Sequence, residues 1–219
     1  MSHVIKDSRD NSRDMTLPYW PSPQDYNEAV QVAAQSFPDP TFAIGQAELD
    51  KHGIPRPITG MFASVYKIKA ADGMWALRCF LHNVPDQIER YTAISLCLQK
   101  LRHPAFVEFD FQERGAHIRG REFPILKMRW CDGDNLAVWI EKNLTQTELL
   151  ERLLHDWAKL ISDFRYCGIA HGDLQHGNIL IENGHLRLVD YDGMYVPALS
   201  AFASNELGHR NYQHPLRNA

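Results

Sequence analysis

The chain has 219 residues, 44% hydrophobic and 23% charged, which is enough apolar material for one sizeable domain or two small ones and excludes a disordered polar chain. With 23 Lys and Arg against 27 Asp and Glu, the formal charge is -4 and no long basic cluster occurs, so no nucleic-acid partner is expected. No apolar run approaches the roughly 18–20 residues of a membrane span, and the polar opening MSHVIKDSRDNSRDM lacks the apolar core of a secretory signal, so a cytoplasmic protein with no membrane partner is expected.

Residues 1 to about 24 are polar and then Pro-rich (LPYWPSPQ), which reads as a flexible tail followed by a stiff linker. From Asp25 to Gln35, Tyr26, Ala29, Val30 and Ala33 recur at helical spacing behind Asp25 as N-cap, with Glu28 three residues on. Pro38, Pro40, Pro55 and Pro57 bracket the next segment, so residues 1–57 read as tail, linker and short helix before a domain entrance. ASVYKIKA and MWALRCFL, separated by Ala71-Asp72-Gly73, predict a β-hairpin. Asp86 to Leu101 carries Ile88, Tyr91, Ile94, Leu98 and Leu101 at helical spacing and predicts a helix ending before His103-Pro104.

FVEFDFQ and FPILKMRW predict two further strands, so residues 58–130 read β-β-α-β-β. Past Gly133, LAVWIEKN and Gln146–Cys167 predict helices, the second with Leu149, Leu153, Leu154, Trp157, Leu160, Ile161 and Phe164 on a wide apolar face. The expected class is α+β. Cys79, Cys97, Cys131 and Cys167 form no CxxC pair and sit in apolar stretches, the pattern of free thiols; His171 and His176 have no helical HxxxH partner.

The chemistry concentrates in HGDLQHGNILIENGHLRLVDYDG, residues 171–193. Asp173 and Asn178 lie five apart; a turn at Glu182-Asn183-Gly184 then joins two apolar strands, and the second ends at Asp190. A loop followed by a hairpin brings Asp173, Asn178 and Asp190 together, and phosphoryl transfer needs such a set: oxygens converging on Mg²⁺ and a carboxylate near the attacking hydroxyl.

HGDLQHGN resembles the protein-kinase catalytic loop HRDLxxxxN, and LVDYDG resembles the strand ending in the DFG triplet. WALR is similar to the VAIK strand, ITGMFASVYKI to the glycine-rich loop, PILKMRWCDG to the strand and hinge between lobes, and GHRNYQHP to the GTPEYMAPE end of an activation segment. The resemblance covers residues 58–215 and is to the protein-kinase-like superfamily, in the manner of a bacterial Ser/Thr protein-kinase-like domain with its C-terminal lobe truncated.

It implies a two-lobed fold, with a small β-rich N-lobe over 58–130 and an incomplete, mainly helical C-lobe over 131–219. The implied cofactors are ATP and Mg²⁺. By the same resemblance Asp173 orients the substrate hydroxyl or accepts its proton, Asn178 and Asp190 are metal ligands, and His171 packs under the loop. Gly60, Val65, Ala76, Met128, Arg129 and Cys131 surround the nucleotide, Arg78 stands in for the phosphate-binding Lys, and Glu89 is the helix acid that pairs with it; Lys67, on the strand face of Val65, is a substitute cation.

Arg78, Gln175 and Asp192 depart from the family pattern, standing where Lys, Lys and Gly are usual. The implied activity is phosphoryl transfer to a protein Ser/Thr hydroxyl. A pseudokinase or nucleotide-binding signalling module, favoured by Arg78, and a small-molecule kinase, favoured by Gly172 in the loop, are the alternatives. The truncation implies apolar C-lobe surface open to a partner or to self-association.

Overall fold

The computed structural model describes residues 19–204 and 208–213; the expected tail over residues 1–18, and His214 and Pro215 of the GHRNYQHP segment, lie outside the described residues. The architecture is α+β, with six α-helices and two antiparallel sheets among the described residues. None of these helices is long and apolar enough to cross a membrane.

The larger sheet comprises β1 (Gln46–Ala47), β2 (Ile58–Thr59), β3 (Ala63–Ala70), β4 (Gly73–Phe80), β5 (Phe109–Ile118) and β6 (Arg121–Arg129). Its order is β1-β3-β4-β6-β5, with β2 also paired to β3. The β3–β4 hairpin holds the register Ala70↔Gly73 through Ala63↔Phe80, which sets Val65 beside Arg78 and Lys67 beside Ala76. β5 starts three residues later than the pattern FVEFDFQ suggested and runs on to Ile118, because pairing with β6 continues past a register shift between Gln112 and Ala116.

One face of this sheet is closed by the N-terminal segment. There α1 (Pro23–Gln31), α2 (Ala33–Ser36) and α3 (Pro40–Ala43) bury Tyr26, Phe37 and Phe42 against Tyr66, Ile68, Trp75 and Ile125. The cap of α1 differs from expectation: Ser22 is the N-cap and Asp25 is the third helical residue, and each side chain satisfies a backbone N–H of the other, with Pro23 at the first helical turn. The proline-bracketed stretch is therefore packed structure as well as an entrance, and Trp20 Nε1 donates to the Phe80 carbonyl at 2.7 Å.

Against the other face packs α4 (Gln87–Leu101), which buries Gln87, Arg90, Tyr91, Ile94 and Leu98. The same core continues into the smaller sheet, β7 (Asp134–Asn135), β8 (Ile179–Glu182) and β9 (His185–Leu188), and into α6 (Thr147–Cys167); α5 (Leu136–Lys142) lies between. The two-residue turn Asn183-Gly184 has φ of 53° and 78°, the left-handed pair that matches the twist of a tight hairpin and that Asn-Gly adopts most readily. On α6 only Leu153, Leu160 and Phe164 are buried; Leu154 is 67% exposed, so the wide apolar face of the helix is only partly covered.

The four cysteines are free.

Candidate functional site

A cavity of about 690 Å³ opens between the two sheets. Val65 of β3, Ala76 of β4, Leu126 and Met128 of β6 and Leu180 of β8 give it an apolar floor and roof, while Arg78, Asn178 and Asp190 stand together at its polar end. Gly60 and Cys131 also line it. Nothing crowds Gly60, where an added Cβ would first meet the Ala63 oxygen at 3.9 Å, so its local packing does not demand glycine.

Asp190 reaches this end because β9 stops just before it. Its φ of 66° is left-handed, a conformation uncommon outside glycine and tolerated best by Asn and Asp. The turn is pinned beneath by Tyr191, whose hydroxyl donates to the Leu188 carbonyl at 2.7 Å and accepts from the Val107 N–H at 2.8 Å.

Arg78 is the centre of the polar end. Its Nη1 donates to Asp190 Oδ1 at 2.6 Å, its Nη2 donates to Asp192, and the Tyr91 hydroxyl donates to the other oxygen of Asp192. Burial works against the Arg78 cation, but Asp190 and then Asp192 outweigh it and push its pKa well above the usual value. Burial raises Asp190 while Arg78 pulls it down, and the balance lies below the ordinary carboxylate range. For Asp192 burial raises, Arg78 lowers, Asp190 raises again, and the balance is upward. One guanidinium thus serves two carboxylates, and the fork geometry of arginine is what permits it.

Glu89 requires a correction. It is exposed on α4 and does not line the cavity, and the acidic partners of Arg78 are Asp190 and Asp192. The reason is helical phase: the face of α4 turned to the sheet is the one carrying Gln87, Arg90, Tyr91, Ile94 and Leu98, and a residue two positions from Gln87 points away from it. Lys67 is also turned elsewhere, 3.1 Å from Asp132 and over the Trp130 ring. Arg129 also lines the cavity; its backbone N–H donates to the Glu108 carbonyl at 3.0 Å, and its side chain lies over Trp75.

Asp173 does not line the cavity itself but is one hydrogen bond from it. Its Oδ2 accepts from Asn178 Nδ2 at 3.0 Å and from Gln175 Nε2 at 2.9 Å, and its Oδ1 accepts from the backbone N–H of His209 at 2.7 Å. The Gly208–Gln213 segment is thereby fastened to the loop, with Gln213 Nε2 on the Gly172 carbonyl at 3.0 Å and the Tyr212 hydroxyl 2.6 Å from His176 Nδ1.

Tyr91 and Asp192 are members of this network that sequence reading did not assign. Tyr91 follows the apolar period of its helix, so only its hydroxyl could have signalled a polar role; the signal for Asp192 was its place two residues after Asp190, across a tyrosine.

Oxygen donors suited to a hard divalent cation are present: Asn178 commits its amide nitrogen to Asp173 and retains its carbonyl oxygen, and Asp190 has a second carboxylate oxygen beyond the one on Arg78. Mg²⁺ is ordinarily held by one or two carboxylates together with substrate phosphates, so this donor set fits it. The apolar walls fit a planar base in the same way.

His171 is buried with Nε2 at 3.0 Å from the Val189 carbonyl, and burial holds its pKa below 6.5 although Asp190 opposes. A folded-state pKa below the unfolded one means the unfolded chain binds more protons as pH falls through 6.5, so the stability that His171 supplies is complete above 6.5 and is lost below it. The expected slope is up to about 1.4 kcal/mol per pH unit, and His171→Asn should flatten it in urea unfolding measured from pH 7 to pH 5.

No family model matches this chain, and no curated protein matches it.

Proposed function

We propose that this chain is a protein-kinase-like phosphotransferase that uses Mg²⁺ and ATP and transfers a phosphoryl group to a protein Ser or Thr hydroxyl. The observation that carries the reading is the meeting of Arg78, Asn178 and Asp190 at one end of a cavity whose other walls are Val65, Ala76 and Met128. Residues 100 or more apart in the chain and matching separate kinase motifs share one site, with Asp173 hydrogen-bonded to one of them.

In this reading the six-stranded sheet is the first lobe, the region from β7 onward is the second, and the cavity is the nucleotide cleft. Asn178 and Asp190 hold Mg²⁺, which when bound neutralises charge on the transferring phosphoryl group. Asp173, oriented by Asn178, Gln175 and the His209 N–H, aligns the acceptor hydroxyl. The contact of Gly208–Gln213 with the catalytic loop favours a protein acceptor over a small molecule, because this segment, folded into a single 3-10 turn at Arg210–Tyr212, closes beside Asp173 in the stretch that resembles the end of an activation segment.

A second reading, a nucleotide-binding signalling module, is favoured by one specific feature: Arg78 spends its charge on Asp190 and Asp192 and has none to spare for phosphates.

Both readings require metal-dependent nucleotide binding, since a polar end with one cation and two carboxylates repels free ATP. Calorimetry should therefore show ATP binding that depends on Mg²⁺ and that weakens on the order of a hundredfold in Asp190→Asn. A folded wild type that binds no ATP at millimolar Mg²⁺ overturns the proposal. Asp173→Asn separates the readings: it should abolish transfer and spare binding in an enzyme, and change neither in a binding module.

A further inference from the structure

The proposed function makes no use of Asp192 or Tyr91, yet both are tied to its central cation. Tyr91 is rigidly held: its ring stacks on Phe111 at 4.9 Å and 3°, and meets Phe80 and Phe109 edge-on at 6.0 Å each. Its hydroxyl therefore has little freedom, and it is spent on one oxygen of Asp192 while the other oxygen takes Arg78 Nη2. The side chains of Arg78 and Asp192 are 12% and 15% exposed, against 37% for Asp190. Asp192 is thus the enclosed member of the pair, and Asp190 is the one that faces the cavity.

With Asp190 alone, Arg78 would cancel its charge and both guanidinium nitrogens would be free to close on it. With Asp192 on Nη2, the guanidinium is held between two acids, and one negative charge remains at the cavity end.

We propose that Asp192 and Tyr91 are the positioning pair for Arg78: Asp192 draws the guanidinium aside so that Asp190 keeps an oxygen and net negative charge for a divalent cation, and Tyr91 anchors Asp192 to α4. This rests on the phosphotransferase reading of the site. It also gives α4 its link to the chemistry, through a neutral hydroxyl and an acid next to the metal-binding residue, where a glutamate from the helix was expected.

The test is the Mg²⁺ concentration at half-maximal ATP binding, measured on the full chain by calorimetry and by ATP-dependent thermal shift, with urea unfolding of the ligand-free protein recorded alongside. Asp192→Asn keeps the shape and loses the charge, and should raise the Mg²⁺ midpoint about 10–100-fold, the usual cost of losing a residue that supports a metal ligand. Tyr91→Phe should raise it about threefold to tenfold, and Asp192→Glu, which keeps the charge, should stay nearer to wild type than Asp192→Asn.

Midpoints within twofold of wild type in both Asp192→Asn and Tyr91→Phe, whatever the loss in urea stability, reduce the pair to a structural role and overturn the proposal. If Asp192→Asn does not fold, Tyr91→Phe and Asp192→Glu decide by the same criterion. A wild type without Mg²⁺-dependent ATP binding removes the phosphotransferase reading and this inference together; normal wild-type binding with unmoved variants removes this inference alone.

Discussion

Replacing Arg78 with Met should cost about 3–5 kcal/mol of folding stability, the penalty for stranding a buried charge by removing its partner. The cost falls mainly on Asp192, whose side chain is 15% exposed, because Asp190 at 37% can be hydrated from the cavity. Arg78→Lys should recover only part of the loss. Lysine offers a single ammonium and can reach one carboxylate well, whereas Arg78 donates from separate nitrogens to two. The double variant Arg78→Met with Asp192→Asn should be more stable than Arg78→Met alone, since the second change removes the stranded charge. Urea unfolding of the four proteins at neutral pH checks all three statements. A cost below about 1 kcal/mol for Arg78→Met would place the network in the class of surface ion pairs.

Gly172→Ala should be comparably severe. The residue has φ of 86°, and a Cβ built on it would lie 1.9 Å from the Gly193 carbonyl oxygen and 2.6 Å from its carbon. No rotamer relieves a clash between a Cβ and backbone, so either the loop or the strand exit must move. The left-handed backbone alone costs alanine about 1 kcal/mol, and with the displaced backbone the expected loss is about 3–5 kcal/mol. Because Gly172 immediately precedes Asp173, ATP-dependent thermal shift and, if transfer is detected, its rate should fall as well. A variant within about 1 kcal/mol of wild type would mean that the loop can back away from Gly193 freely. The same contact makes position 172 one where the backbone leaves no room for any side chain.

Much of the architecture was legible before the fold was known. The β3–β4 and β8–β9 hairpins are announced by alternating apolar residues around Asp72-Gly73 and Asn183-Gly184, and α4 and α6 by apolar residues at helical spacing. These signals are local: turn chemistry and periodicity act between residues a few positions apart. The Asp173–Asn178 hydrogen bond is local in the same sense, since both residues lie on one short loop.

Other features were decided by packing. The cap of α1 was expected at Asp25 with Glu28 as its partner and fell to Ser22, because the Ser22 hydroxyl and the Asp25 carboxylate satisfy each other's backbone. Glu89 was expected at Arg78 and stands exposed, because the phase of α4 on the sheet turns Tyr91 inward in its place. By itself the sequence determined the long strands and helices and the two hairpin turns, while the short elements α2, α3, β1, β2 and β7 appear only in the packed structure. Only the tertiary structure decided that Arg78 spans Asp190 and Asp192, 112 and 114 residues away, with Tyr91 behind them. The physical reason is that an ion pair is chosen by which charges the packed sheets and helix bring within a few ångströms, and no local preference of the chain encodes that distance.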